Sequence, residues 1–245
     1  MDYRQSHLEK GNDYHDLFES NARRSLIWNF EKRILEQIYF KYFKKKKDLA
    51  HLDFACGTGR IINFLSNFFS TSVGVDVSDN MLEVAKKNAG PHSMFLNVDL
   101  TSEKHLNDKK FDLITAFRFF PNAQEDLRNA TAKTLIGLLK NEGLLVANLH
   151  TNYGSIRLRI FRFLRFFSKV KAPDFGVSMN EFEKNFTDNG FEIVEKVGVG
   201  IFPETEERIF PIRSLVKFFE TFCMKLPVLV PYSENIIYLF KKKSG

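Results

Sequence analysis

The chain has 245 residues, 44% of them hydrophobic, and carries a net charge of +6 with a pI near 9.2. No uncharged apolar run reaches the roughly 18 residues that span a bilayer. Nothing in Met1–Lys10 resembles a signal peptide, and Cys56 and Cys223 lie far apart without metal-ligand spacing, so a reducing cytoplasm and no metal site are expected.

The positive excess is gathered in Lys44–Lys47, Arg157–Lys171 and Lys241–Lys243. Such clusters suit nucleic acid or anionic lipid. The first equally suits a helix C-terminus and the last a solvated tail. In chain order, Asp16–Phe43 places Leu17, Phe18, Ile27, Trp28, Ile34, Leu35, Ile38 and Tyr39 at three- and four-residue intervals, which predicts one or two amphipathic helices within an N-terminal segment, 1–47. Leu52–Arg60 then reads as strand, tight turn and helix. Gly57 and Gly59 let backbone N–H groups approach a ligand, and the N-terminus of the following helix supplies partial positive charge. Ile62 stands where a dinucleotide fingerprint needs its third glycine, and no Gly-Lys-Ser/Thr follows, so neither the pyrophosphate loop nor the Walker loop is complete.

A second strand, Thr71–Asp76, ends in an acid 17 residues beyond Gly59, near the spacing at which a carboxylate meets ribose hydroxyls. Ser78 and Asp79 offer N-caps to a helix through Met81, Leu82, Val84 and Ala85. Met94–Leu100 reads as a third strand ending near Asp99, and Phe111–Ala123 as a fourth running into an aromatic turn, with Asp112 at its structural end. A helix over 124–139, a turn at Lys140–Gly143 and a fifth strand, Leu144–His150, complete a cofactor-binding core over 48–150. Alternating strand and helix in this way predicts an α/β doubly wound, mostly parallel sheet.

Two insertions depart from that alternation. In 151–178, Ser155 caps a basic amphipathic helix over 156–169. Its Ile156, Ile160, Phe163, Leu164 and Phe167 share a face opposite Arg162, Arg165 and Lys169. A lid, a packed surface helix and a peripheral membrane contact through 156–171 are the three roles open to it. Ser178–Phe186 begins a further helix ending near Asn189-Gly190, and Phe191–Val197 forms a sixth strand. The second insertion, 203–233, has a helix around Ile212–Met224 and the apolar run Pro227–Pro231, and it lines an acceptor pocket or makes a dimer contact. Asn235–Phe240 is a last, antiparallel strand.

Asp53-x-Ala55-x-Gly57-x-Gly59, Asp76, Asp99, the Phe117–Asn122 turn, Lys140–Gly143 and Asn189-Gly190-Phe191 together resemble the motifs of class I S-adenosylmethionine-dependent methyltransferases, with Ala55 where a first glycine is commoner. The resemblance implies a seven-stranded Rossmann-like sheet within a single domain, 1–245, and S-adenosylmethionine as cofactor. It assigns Asp53, Ala55, Cys56, Gly57 and Gly59 to the cofactor loop and Asp76 to the ribose. Val77 and Met81 fall beside the adenine, Asp99 and Leu100 at its amino edge, and Phe117 at the methionyl part or sulfonium. Tyr14 or Arg24, from helices that cover the cofactor, would reach its methionyl end. The implied reaction is in-line transfer of the methyl group, for which His150, and after it His105, is the candidate general base; Arg118 would anchor an acidic acceptor. Phe119-Phe120-Pro121-Asn122 stands where Asn-Pro-Pro-Tyr marks amino-group methylation, which argues against a nucleic-acid acceptor; a small-molecule acceptor is expected, apolar or lipid-linked given the aromatic insertions. A nucleic-acid methyltransferase using the basic clusters and an inactive cofactor-binding scaffold are the alternatives.

Overall fold

The computed structural model describes residues 21–102, 106, 109–165, 176–202 and 213–244. Helix α1 (Ala22–Tyr42) is capped by Asn21, whose side-chain oxygen accepts the backbone N–H groups of Arg23 and Arg24 at 3.1 Å. These are donors that no helical carbonyl reaches. Ile27, Phe30, Ile34, Leu35 and Ile38 form its buried ridge; Tyr14, Leu17 and Phe18 lie outside the described residues.

Strand and helix then alternate through β1 (Ala50–Phe54), α2 (Arg60–Leu65), β2 (Thr71–Asp76), α3 (Asp79–Lys87) and β3 (Ser93–Asn97), followed by β4 (Phe111–Ala116), α4 (Glu125–Leu138) and β5 (Leu139–Leu149). Helices α5 (Ile156–Arg165) and α6 (Met179–Thr187), β6 (Phe191–Val199), α7 (Arg213–Cys223), a 3-10 segment (Pro227–Tyr232) and β7 (Asn235–Lys242) complete the order. The strands make one sheet, β3-β2-β1-β4-β5-β7-β6. Strands β1 to β5 pair in parallel, whereas β7 runs antiparallel to both β5 and β6, as the sequence predicts.

Three boundaries differ from the sequence reading. Strand β3 stops at Asn97, because Asp99 accepts the Thr101 N–H at 2.9 Å and its hydroxyl at 2.6 Å and turns the chain there. Strand β5 starts at Leu139, so the predicted turn at Lys140–Gly143 lies inside it. Phe111 pairs with Leu139 and Leu113 with Leu144, and the intervening residues are taken up in a bulge. The predicted role of Ser78 and Asp79 divides: Ser78 Oγ accepts the Met81 N–H at 3.4 Å as the cap, and Asp79 is the first helical residue.

Side-chain alternation along β7 assigns the sheet its two cores. Tyr238 and Phe240 face α4 and α6, while Ile237 and Leu239 face α1, α2 and α7. On the first face Phe186 stacks on Phe240 at 4.2 Å between ring centroids and meets Phe120 at 4.5 Å. Because Phe186 is fully buried among rings, the Phe186→Ala variant should lose about 3–5 kcal/mol of stability by urea unfolding. A loss below about 1 kcal/mol would show a core that closes over the cavity.

Candidate active site

At the carboxyl edge of the sheet the β1–α2 loop turns sharply through residues in the left-handed region: Ala55 (φ 53°), Gly57 (φ 54°) and Gly59 (φ 80°). A Cβ built at Gly57 would meet nothing within 4 Å, whereas one at Gly59 would lie 2.8 Å from the Ala85 Cβ. Gly57 therefore leaves its backbone open to a ligand, and Gly59 lets α2 pack on α3. The Asp76 carboxylate ties this loop to β2: it accepts the Gly57 N–H at 2.8 Å on Oδ2 and the Ser78 N–H at 3.0 Å on Oδ1.

Beneath the loop, Asp53 is buried and accepts the Ile62 N–H at 3.2 Å and the Thr115 hydroxyl at 2.7 Å. Since Thr115 Oγ1 donates to Asp53, it receives His51 Nε2–H at 2.9 Å, which leaves His51 Nδ1 to accept from Ser72 at 3.4 Å. Burial pushes the Asp53 carboxyl up to about 7, against the hydrogen bonds from Thr115 and Ile62 and the nearby Arg60. Burial alone brings the His51 imidazole down to about 3.

A cavity of about 340 Å³ opens above these groups, within the size range of small-molecule and cofactor sites. Asp53, Ala55, Cys56, Gly57, Asp76, Val77, Met81, Asp99, Leu100, Phe117 and His150 all line it; of the predicted cofactor and base residues among those described, Gly59 alone does not, and it acts through packing. Arg24, Arg60 and Arg118 line it too. His105 lies outside the described residues. Strand order divides the charges: Asp53 and Asp76 stand in the last residues of β1 and β2 and Asp99 just past β3, while Arg118 and His150 follow β4 and β5.

Arg118 also holds a left-handed backbone, at φ 61°. Its N–H donates to Asn148 Oδ1 at 2.6 Å and its carbonyl accepts Asn122 Nδ2 at 2.6 Å. Its guanidinium lies 3.7 Å from Glu31, which also pairs with Arg60 at 3.1 Å and accepts Asn235 Nδ2 at 3.0 Å. Arg60 in turn lies 4.4 Å over the Trp28 ring. Glu31 is fully buried, and the sequence reading missed it. Its signal was a carboxylate set in the apolar stripe of α1, four residues from both Ile27 and Leu35. His150 Nδ1 is buried without a protein partner, and burial, with Arg118 and Arg24 nearby, brings the imidazole down to about 3. Among the described residues no cluster could hold a metal ion.

Residues 52–143 match the family model described as a methyltransferase domain. The chain is 29% identical over 161 residues to a ubiquinone biosynthesis O-methyltransferase of Bartonella bacilliformis, covering 62% of this chain and 63% of that one. It thus spans somewhat under two thirds of that relative's length. An uncharacterised protein of Methanocaldococcus jannaschii is 26% identical over 245 residues, 96% of this chain and 95% of its own. Among solved structures, a magnesium protoporphyrin IX methyltransferase of Synechocystis with bound SAH superposes with a TM-score of 0.66 at 14% identity over 98% of both chains. An N-methyltransferase of Bradyrhizobium japonicum with bound S-adenosyl-l-homocysteine gives 0.62 at 12% identity over 100% of both. At these identities the likeness is one of fold.

The buried pair under the loop couples stability to pH in opposite senses. Folded Asp53 holds its proton up to about pH 7 and the unfolded carboxyl to 3.8, so its contribution falls as pH rises through that window. Folded His51 takes a proton only near pH 3 and the unfolded ring at 6.5, so its contribution rises with pH between them. In urea unfolding at stepped pH, wild-type stability relative to Asp53→Asn should decline from about pH 4 to 7, and relative to His51→Asn should climb from about pH 3 to 6.5. Equal slopes for the two variants would remove this account.

Proposed function

We propose that the chain is a class I S-adenosylmethionine-dependent methyltransferase, a reading supported by the methyltransferase-domain match over residues 52–143 and by the fold, and that it methylates an ionised or readily ionised oxygen on a small, largely apolar or lipid-linked acceptor. The observation that carries this reading is the shared cavity in which Arg24, Arg118 and His150 meet the three aspartates.

The residues fit the cofactor. The open space at Gly57 leaves room for a ligand against the loop backbone, and Asp76, already oriented by the Gly57 and Ser78 N–H groups, is set to accept ribose hydroxyls. Val77, Met81 and Leu100 make an apolar wall for the adenine, with Asp99 at its amino edge. Phe117 and Phe119 wall the middle of the cavity, where aromatic faces suit a cationic sulfur and exclude water. S-adenosylmethionine, when bound, supplies a methyl group activated by positively charged sulfur.

Arg24 and Arg118 would hold anionic oxygens, one belonging to the cofactor's methionyl carboxylate and one to the acceptor. Because burial, and after it those same cations, oppose protonation of His150, the imidazole is neutral at working pH and a weak base. It accepts a hydrogen bond from an acceptor hydroxyl and takes its proton as the new bond forms; a carboxylate acceptor needs neither.

Asp76→Ala should weaken cofactor binding about 10- to 100-fold by calorimetry, from the loss of charge-assisted hydrogen bonds. Unchanged affinity in a folded variant would remove the ribose assignment. With methyl-labelled cofactor, carboxylate and acidic hydroxyl acceptors should be labelled in preference to amines or nucleic acid, and the reverse order would sink the proposed acceptor. His150→Ala should lower turnover of hydroxyl acceptors roughly 10- to 100-fold and leave carboxylate acceptors and cofactor affinity nearly unchanged. Full hydroxyl activity would exclude it from proton transfer.

A further inference from the structure

Helices α5 and α7 are turned the unusual way round. Of the predicted apolar face of α5, Ile160, Phe163 and Leu164 are exposed, while Ile156 is half-buried and Phe167 lies outside the described residues. The helix is seated by Leu158 and by Arg157, whose Nη1 pairs with Glu234 at 2.9 Å, while Phe163 is 63% exposed and Ile160 and Leu164 also face outward. Helix α7 repeats the arrangement. Val216 and Glu220 point inward, the latter accepting the Gly200 N–H at 2.6 Å and the Ile201 N–H at 3.2 Å. Phe218 and Phe222 are 68% and 58% exposed, and Val228, just beyond, 71%. The two helices are joined through the 3-10 segment: Asn152 Nδ2 donates to the Pro231 carbonyl at 2.8 Å, and Arg159 lies 5.3 Å from the Tyr232 ring centroid. Aromatic and aliphatic side chains held outward at helical spacing cost solvation that a protein surface seldom sustains without a use.

Along the two helices themselves, the outward charge among the described residues is of one sign. Helix α5 contains four arginines and no acid. In α7 the only acid, Glu220, is turned inward, with Lys217 in the helix and Lys225 just after it. A two-fold contact between copies would set each such surface against itself and bring like charges together, whereas an anionic bilayer would take the apolar side chains among its acyl chains and the cations at its headgroups. The surface lies close to the cavity mouth: Glu234, the partner of Arg157, also pairs with Arg23, the neighbour of cavity-lining Arg24. We infer that α5, α7 and the 3-10 segment form a docking surface for an anionic lipid bilayer. The active-site mouth would then face the membrane, where a lipid-linked acceptor would be met.

The test is sedimentation of the full chain with vesicles of phosphatidylcholine alone or mixed with phosphatidylglycerol. Cofactor and acceptor are left out, so that failure here leaves the methyl-transfer reading untouched. The wild type should bind the mixed vesicles at least about tenfold more tightly, since each cation near such a surface contributes roughly fivefold. Phe163→Ser with Phe222→Ser should weaken that binding at least about tenfold, from lost burial of apolar side chains. Arg159→Gln should weaken it about fivefold and flatten its salt dependence. Thermal melting checks that each variant is folded; these exposed substitutions should shift it little. Failure to bind mixed vesicles, equal binding to both kinds, or folded double variants that bind as the wild type does would each overturn the inference. So would a wild-type dimer in sedimentation velocity that Phe222→Ser converts to monomer.

Discussion

The interaction on which the site depends is the Asp53 carboxylate. It sits next to the last residue of β1, between β2 and β4 in the sheet, and it joins three elements at once: its own β1, α2 through the Ile62 N–H, and β4 through Thr115. A buried carboxyl group is costly unless its oxygens are occupied, and here both are. That arrangement aims the start of α2, and with it the Gly57–Gly59 turn, across the sheet edge. The pressure of burial is recorded in the Asp53 carboxyl itself, lifted to about 7 despite two hydrogen bonds and a nearby arginine. The neighbouring His51, neutral at all ordinary pH, completes the polar seam without adding a second buried charge.

Charge is distributed by strand order. Acids stand at or just past the carboxyl ends of β1, β2 and β3, cations just past β4 and β5, and α1 delivers Arg24 to the same cavity. Without further support Arg60 and Arg118 would repel one another and swing to solvent. Glu31, fully buried on α1, lies between them and is itself held by Asn235, which accepts from Asn148, the acceptor for the Arg118 N–H. Truncating one member of such a network would strand the others, since a buried charge without its partner costs several kcal/mol, roughly 3–5. Glu31 is therefore as much a part of the site as the residues that line it.

The parts of the fold that follow from local chemistry were legible in the sequence: glycine spacing at residues 57 and 59, caps at Ser78 and Ser155, and acids at the ends of strands. What could not be read there depends on long-range pairing. The early start of β5 arises because Leu139 finds Phe111, 28 residues upstream, and the bulge then absorbs a stretch that otherwise resembles a turn. The outward face of α5 is the same kind of case: its hydrophobic stripe was visible, but the ion pair of Arg157 with Glu234, 77 residues away, selects which side packs. Glu31 shows in the sequence only its place in the apolar stripe of α1, and its role emerges once Arg60, Arg118 and Asn235 are brought to it.

Backbone strain marks where these choices converge. Ala55 and Arg118 are non-glycine residues with φ near 53° and 61°, and each such conformation costs roughly 1–2 kcal/mol in an L-residue. They follow β1 and β4, adjacent strands whose helical connections, α2 and α4, leave toward opposite faces of the sheet. That divergence opens the crevice of a doubly wound sheet, and a chain leaving either strand by ordinary extended geometry would run across it. Left-handed turns carry both segments aside, and each is held: Cys56, next to Ala55, donates its N–H to the Val75 carbonyl at 2.9 Å, and Arg118 is pinned on both sides by Asn148 and Asn122. The strain thus keeps the crevice clear while placing the Arg118 guanidinium over it, and hydrogen bonds already satisfied within the loops offset its cost.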